Sequence, residues 1–481
     1  MQHHLKQLAS ETLVYGLSGF VARFLSVLLV PIYTRIFVPA DYGLISLVGS
    51  TMAIVSILVV LGLDASAHRW FWDTESRDDQ KQTVASWVWC QFGISTAAAS
   101  LIFVFAERIA VLVTGQVSAA LFLRLAAAAL PLSGLGSALT NWFRMQRRPW
   151  ETVAFGLGVS VLTISLNIVF VVVLHLGIAG VYEAQLVSAV VSATAAVALL
   201  RDWIHPGHVA MSRLWEMLRY SMPLVPAGLA LWVVGYSDRF FLKYYTDLSN
   251  VGLYQVGSAI AGLTALVTGS FQQAWGPFSI SIHKQENARE VYASVLVAYV
   301  FVTSVFSTGL ALFSPEAIRL VATSGYSGAS SVVGIIAFSY VMIGLGYVAA
   351  VGPSVAKTTA PMGIGVAMAA VVNIGLNFAL VPHLGRMGAA FSTLASQAIG
   401  PVYIFYRSHR IYPIPYRFGA CCGIVTLAFV LIVTGSVWTP RTEIVGIVGK
   451  LALLSAFLPA AVAFKVVSID QVRRIVSMTW R

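Results

Sequence analysis

The chain has 481 residues, of which 58% are apolar and only 10% charged, with 30 basic against 19 acidic side chains and a formal net charge of +11. Soluble domains carry roughly a quarter charged residues, so this composition cannot furnish a polar exterior for a fold of that size. A soluble enzyme, a disulfide-rich secreted domain and a disordered chain are all excluded. The chain is expected to be an all-α integral membrane protein, and its basic excess is read through its distribution, with no nucleic-acid partner.

Apolar stretches of about 20 residues, enough to cross a hydrocarbon core of about 30 Å, occur fourteen times. The first half holds 12–34, 41–64, 83–105, 118–140, 151–174 and 177–200. The second holds 218–242, 250–273, 291–313, 328–351, 361–382 and 386–406, and a final pair covers 418–438 and 444–466. Pro31 and Arg35 follow the first run without a small-residue cleavage pattern, so it is expected to be retained as a span. Arg124 interrupts the fourth stretch and Lys450 the last. Loop by loop, 20 of the 30 basic residues fall on one side and 6 on the other. The positive-inside rule then places both termini in the cytoplasm. Trp70, Trp72, Trp142, Trp150, Trp203, Trp215, Trp275 and Trp438 flank spans as interfacial rings, whereas Trp87, Trp89 and Trp232 lie deeper. No loop exceeds about 20 residues, which leaves no room for an extramembrane catalytic domain. Cys90, Cys421 and Cys422 lie in apolar stretches and read as small buried hydrophobes.

The two halves repeat weakly. His175-Leu176-Gly177 returns as His383-Leu384-Gly385, and Gly180 as Gly388, at an offset of 208. Arg35-Ile36-Phe37 corresponds to Arg239-Phe240-Phe241, Gly43-Leu44 to Gly252-Leu253, and Gly49-Ser50 to Gly257-Ser258. An offset of six spans is even, so the copies share an orientation and are related by an axis along the membrane normal. The expected organisation is a six-helix bundle over 1–211, a parallel-related one over 212–411, and an additional two-helix pair with a cytoplasmic tail over 412–481. Pro31, Pro131, Pro223, Pro226, Pro353 and Pro361 lie in or beside spans, either as tolerated kinks or as bending points.

An ionisable group in the hydrocarbon region must be paired or face water. Arg23, mid-way along the first span, either faces a cavity and binds an anion or makes a structural pair. Asp238 and Arg239 are neighbours about 100° apart on a helix and need not pair. Arg239 either faces a cavity, snorkels outward or braces a loop, and Arg35 occupies the corresponding place after the first span. Arg124 lines a cavity or sits near the outer interface. Glu183 either carries a coupling proton or cation or neutralises an arginine, and Asp238 is a second coupling candidate. Asp64, beside His68 and Arg69, reads as an interfacial cluster. Asn141, Asn167, Asn373 and Asn377 bridge helices or serve a sugar, while Gln272 and Gln273 precede Trp275 where a saccharide platform is conceivable. A cavity with arginines suits an anionic substrate, phosphate or pyrophosphate above all, whereas a cation pore would prefer acidic rings.

There is no nucleotide-binding glycine loop, no H-E-x-x-H arrangement and no aspartate-rich cluster, so neither ATP hydrolysis, a resident metal nor a cofactor is expected. Tyr15-Gly16-Leu17-Ser18, then Pro31-Ile32-Tyr33-Thr34-Arg35, then Asp41-Tyr42-Gly43 resemble the start of the Wzx-type polysaccharide transporters. These are oligosaccharide flippases of the multidrug/oligosaccharidyl-lipid/polysaccharide flippase superfamily. The resemblance implies two six-helix bundles around a central cavity, alternating access, and a bacterial inner-membrane location. It implies a polyprenyl-pyrophosphate-linked oligosaccharide as cargo, its tail left in membrane lipid, and Arg23 as the first-helix arginine meeting the pyrophosphate. More distantly it implies proton or sodium coupling and a polysaccharide polymerase with chain-length machinery as partners. A drug/cation antiporter of the same superfamily is the rival, and a non-transporting scaffold or intramembrane polymerase the alternative from another class.

Overall fold

A hydrocarbon layer offers no water to backbone amides, so the chain satisfies them within helices. The computed structural model describes residue 21, residues 29–438 and residues 442–466. Among the described residues there is no strand.

The first helices are α1 (residues 29–36), α2 (Pro39–Val60), α3 (Leu63–Phe71), α4 (Arg77–Thr114), α5 (Ala120–Met145), α6 (Pro149–Asn167) and α7 (Gly177–Leu200). Then come α8 (Met211–Ser221), α9 (Leu224–Tyr245), α10 (Leu248–Ala261), α11 (Thr264–Ser281), α12 (Ala288–Leu312) and α13 (Ser314–Val321). The chain continues as α14 (Ser330–Ala349), α15 (Val351–Val355), α16 (Ala360–Leu384), α17 (Arg386–Ile411), α18 (Phe418–Val437), α19 (Glu443–Ser455) and α20 (Phe457–Ala463). Prolines open α2, α6 and α16 at the first turn, where their missing N–H costs nothing. Ser76 caps α4 by accepting from the Asp79 N–H, and Gly115, at φ 77°, ends it. These signals make α4 longer than the predicted 83–105.

Among the described residues 10 helical segments are long and apolar enough to cross a membrane, or up to 12 if each of two bent pairs is one span. The bent pairs are α8 with α9, at 49°, and α10 with α11, at 45°. Pro223 stands in the first break, but Gly262 and Leu263 make the second without a proline. The predicted span 386–406 is helical as α17, whose polar residues keep it below that apolar threshold. Most of 12–34 lies outside the described residues.

The chain divides into two compact units, Met1–Gly252 and Leu253–Arg481. In the first, α5 packs on α4 and α7, α3 on α4 and α8, and α2 on α9. One core gathers Trp87, Leu139, Trp142, Leu200 and Met217; another gathers Leu44, Val48, Ala106, Leu123 and Tyr182. In the second, α14 packs on α12 and α17, α17 on α16, and α12 on α18. Tyr292, Leu296, Val300, Val341 and Ile424 belong to its core.

The cysteines are not core residues: Cys90 and Cys421 are half-buried and Cys422 is exposed. In a membrane protein an apolar thiol is as well accommodated facing lipid as facing protein. Trp275 departs from its interfacial reading too. It is buried, stacks with Phe271 at 5.6 Å between centroids, and donates to the Tyr347 carbonyl at 3.2 Å.

Within the first unit two glycines that correspond in the repeat meet. A Cβ on Gly43 would stand 2.0 Å from the Leu248 carbonyl oxygen, and one on Gly252 would stand 1.9 Å from that of Pro39. Only a residue without a side chain admits this backbone approach between α2 and α10. Gly43→Val or Gly252→Val should therefore lower the melting temperature of the detergent-purified protein. The cost should reach or exceed the ~1–3 kcal/mol of ordinary overpacking. Gly49→Ala, where a Cβ meets nothing within 4 Å, should leave the melting temperature unchanged.

Candidate functional site

In the first unit the span formed by α2 and α3 breaks at Leu61 and Gly62, both left-handed at φ 51° and 68°. A Cβ on Gly62 would approach the Ser221 carbonyl at 3.2 Å. Asp64 stands in the first turn after the break, where the helix dipole favours a carboxylate. Its Oδ1 accepts from Trp87 Nε1 of α4 at 3.1 Å, and its Oδ2 from Asn141 Nδ2 of α5 at 3.4 Å. His68 Nε2 lies 3.5 Å from Asn141 Oδ1. One carboxylate thus gathers three helices through neutral N–H donors.

Around this cluster aromatic rings carry guanidinium groups. Arg147 lies over Trp72 at 4.8 Å, Arg77 over Trp203 at 5.5 Å, and Arg148 over Trp142 at 5.8 Å. Cation–π contact holds each charge at the edge of the apolar core without discharging it. The result is a set of cation–indole contacts carried largely by the same helices, and the turns that follow them, as the half-buried Asp64 cluster.

Asp238 and Arg239 are buried in α9 and do pair: Arg239 Nη1 lies 2.9 Å from Asp238 Oδ1. The 100° between neighbours is bridged because the long Arg239 side chain folds back, also donating to the Gly235 carbonyl at 2.8 Å. Its Nε donates to Ser46 Oγ of α2 at 3.2 Å, and its guanidinium lies 5.1 Å from the Tyr236 ring. Tyr33 of α1 donates to Asn167 Oδ1 of α6 at 2.6 Å. Asn167 therefore bridges helices, as do Asn141 and, in the second unit, Asn373, which donates to Ser396 at 3.1 Å.

The other predicted site residues are not brought together. Arg23 lies outside the described residues. Arg35 is exposed at the end of α1. Arg124 pairs with Glu107 at 3.1 Å and lies 5.5 Å from the Phe103 ring. Glu183 is half-buried and makes no ion pair among the described residues. Gln272 is exposed in the second unit, and the buried Trp275 beside it offers no saccharide platform.

The second unit holds an ionic network that sequence reasoning missed. Lys450 of α19 donates to both oxygens of Glu316 on α13, at 2.7 and 2.8 Å. Arg319 lies 2.6 Å from Glu443 and 3.5 Å from Glu316. A lysine inside an apolar stretch signalled that an acid must exist, and Ser314-Pro315-Glu316 has the form of a helix start. Which acid answers Lys450 is decided by packing alone.

Burial raises the Glu316 carboxyl, but the Lys450 hydrogen bond, its own backbone N–H, and the charges of Lys450 and Arg319 outweigh this and hold it below the ordinary carboxylate range. The stability that Glu316 contributes is therefore complete above the ordinary Glu value of about 4.3. It is lost as pH falls through the lower folded value. Melting temperatures should fall more steeply with acid in the native protein than in Glu316→Gln, and the two curves should converge in the acid limb. In the first unit, Asp64→Ala should destabilise by ~1–3 kcal/mol because Trp87 Nε1 loses its acceptor. Asp64→Asn, which keeps a carbonyl oxygen, should cost less on the same melting curves.

Residues 8–283 match the family described as Polysaccharide biosynthesis protein. The succinoglycan biosynthesis transport protein ExoT of Rhizobium meliloti (strain 1021) is 26% identical over 238 residues, 49% of this chain and 46% of that protein. The match thus spans about half the length of this curated relative. Among solved structures, a lipid II flippase MurJ in an inward closed conformation is similar at a TM-score of 0.74 and 14% identity, covering 92% of this chain and 98% of that one. An inward-facing multidrug resistance MATE family transporter of the MOP superfamily is similar at 0.71 and 14% identity, over 82% and 95%. At such identities the likeness shows the fold: an all-α, multi-pass membrane fold shared by flippases and multidrug transporters.

Proposed function

Since the chain belongs to the polysaccharide biosynthesis protein family, we propose that it is a flippase for polyprenyl-pyrophosphate-linked oligosaccharide repeat units. It moves them from the cytoplasmic to the outer leaflet of the bacterial inner membrane for surface or exopolysaccharide assembly. The family match over residues 8–283 carries this proposal, and the flippase-type fold supports it. Both termini face the cytoplasm, in keeping with the loop charges.

Transport proceeds by alternating access between bundles 1–211 and 212–411, with 412–481 as an additional pair. The meeting of Gly43 with Gly252 supports parallel-related halves, since repeat-equivalent positions come together where a symmetry axis passes. It is also a contact that an alternating cycle must open.

Arg23 and Arg35 are the leading cationic contacts for the pyrophosphate. Arg124 and Arg239 carry part of their charge into Glu107 and Asp238 and shape the potential of the cavity. Gln272 adds a polar group for the sugar. Coupling to a proton or sodium gradient falls to Glu183, which lacks an ion pair among the described residues. Asp238 is the weaker coupling candidate, because discharging it would strand Arg239. The outer-leaflet product passes to a polysaccharide polymerase and its chain-length machinery.

The experiment is translocation in reconstituted liposomes with a labelled polyprenyl-pyrophosphate oligosaccharide, followed with and without an ion gradient. Protein-dependent exposure in the opposite leaflet is expected. Arg23→Ala should slow it on the order of tenfold or more, the equivalent of one charge-assisted hydrogen bond of ~1.5–3 kcal/mol. Glu183→Gln should abolish gradient dependence while leaving the protein folded. Extrusion of an organic cation without glycan translocation would instead establish the multidrug antiporter chemistry found elsewhere on this fold.

A further inference from the structure

The second unit contains a cavity of about 940 Å³ between α12, α13, α14, α17, α18 and α19. Its walls are apolar, with Ile335, Phe338 and Met342 from α14, Phe391 from α17, and Phe429 and Ile432 from α18. Glu316, Arg319, Glu443 and Lys450 are the charged residues that line it: Glu316 and Arg319 stand on the short α13, Glu443 opens α19, and Lys450 lies midway along α19. We propose that this cavity is a resident-lipid site for a phospholipid with a primary ammonium headgroup, its hydrocarbon chains along the apolar walls and its headgroup on the Arg319–Glu443 pair.

The chain region follows from solvent. Between membrane spans, an apolar chamber has neither the polar partners that hold water nor a supply of it, so lipid hydrocarbon fills it. The headgroup region follows from the unequal exposure of the two ion pairs. Lys450 gives two hydrogen bonds to Glu316 and is one-tenth exposed, so its charge is answered within this inner pair, whose carboxylate also lies 3.5 Å from Arg319. Arg319 and Glu443 also pair, at 2.6 Å, but their side chains are 56% and 79% exposed. A monodentate pair of that kind leaves guanidinium N–H groups and carboxylate lone pairs open side by side.

Such a pair is a fixed dipole. A phosphate accepts from Arg319 while an ammonium donates to Glu443, and neither charge of the pair is left without compensation. Arg386 donates to Ser331 Oγ at 3.3 Å, beside a residue that lines the cavity, and adds positive potential on the phosphate side. A headgroup with only negative charge gains Arg319 but meets Glu443 without an answer. A quaternary ammonium has no N–H to give. The ethanolamine type of headgroup satisfies both partners. This inference is independent of the transported cargo, whose pyrophosphate has no ammonium to offer Glu443.

The test uses the full chain, purified and delipidated, with binding read by native mass spectrometry. The probes are phosphatidylethanolamine, phosphatidylcholine and phosphatidylglycerol of one acyl composition, and undecaprenyl phosphate. Phosphatidylethanolamine should bind at least about threefold more tightly than each of the others. Glu443→Gln and Arg319→Gln, at exposed positions that leave the core intact, should each erase that preference. Ile335→Trp, which fills the chamber, should reduce binding of all the phospholipids, with an unchanged melting temperature verifying the fold. Equal or tighter binding of phosphatidylglycerol, phosphatidylcholine or undecaprenyl phosphate would overturn the proposal. So would a preference for phosphatidylethanolamine that survives both Glu443→Gln and Arg319→Gln.

Discussion

The hydrocarbon layer supplies no hydrogen bonds, and this constraint organises the molecule more than any single packing contact. A charge placed there must find a partner within the protein. Most of the partners found tie together segments distant in sequence. Arg239 takes its counter-charge from its neighbour Asp238 and spends a further donor on Ser46, nearly two hundred residues away. Lys450 is held by Glu316, and Asp64 by Trp87 and Asn141. Polar satisfaction therefore acts as a set of cross-links in an otherwise apolar stack. Any step that moves one of these helices must exchange these partners for others.

Two kinds of helix contact follow from that solvent. Where polar groups bridge, the helices are pinned by directional bonds, as Tyr33 and Asn167 pin α1 to α6. Where no polar group is available, close approach replaces it. Gly43 and Gly252 let the backbones of α2 and α10 meet with no side chain between them. The first kind of contact resists sliding and the second permits separation without exposing a stranded polar side chain.

The two units carry different electrostatics. In the first, guanidinium groups lie over indoles and an acid is held by neutral donors. In the second, Glu316 and Glu443 answer Lys450 and Arg319, so the walls of its cavity are nearly discharged. The family, shown through residues 8–283, is that of polysaccharide biosynthesis proteins.

Composition and hydropathy alone determined that the chain is helical and membrane-embedded, because a 20-residue apolar run admits no other satisfied backbone conformation. A weak repeat was readable in the sequence, and at three of its glycines, Gly43, Gly252 and Gly388, close backbone approach admits nothing larger. Helix bridging by Asn141, Asn167 and Asn373 followed from the cost of an unpaired amide. Pairing was not legible. Lys450 announced the need for an acid without choosing Glu316, and Asp238 with Arg239 joined through a side chain that folds back against the direction of its own helix position. Trp275 was placed at an interface by its neighbours in sequence, but packing buried it against Phe271. Hydropathy is local and additive along the chain, so it can be read residue by residue. The choice of partner depends on how helices hundreds of residues apart come to lie side by side, and only the tertiary structure decides that.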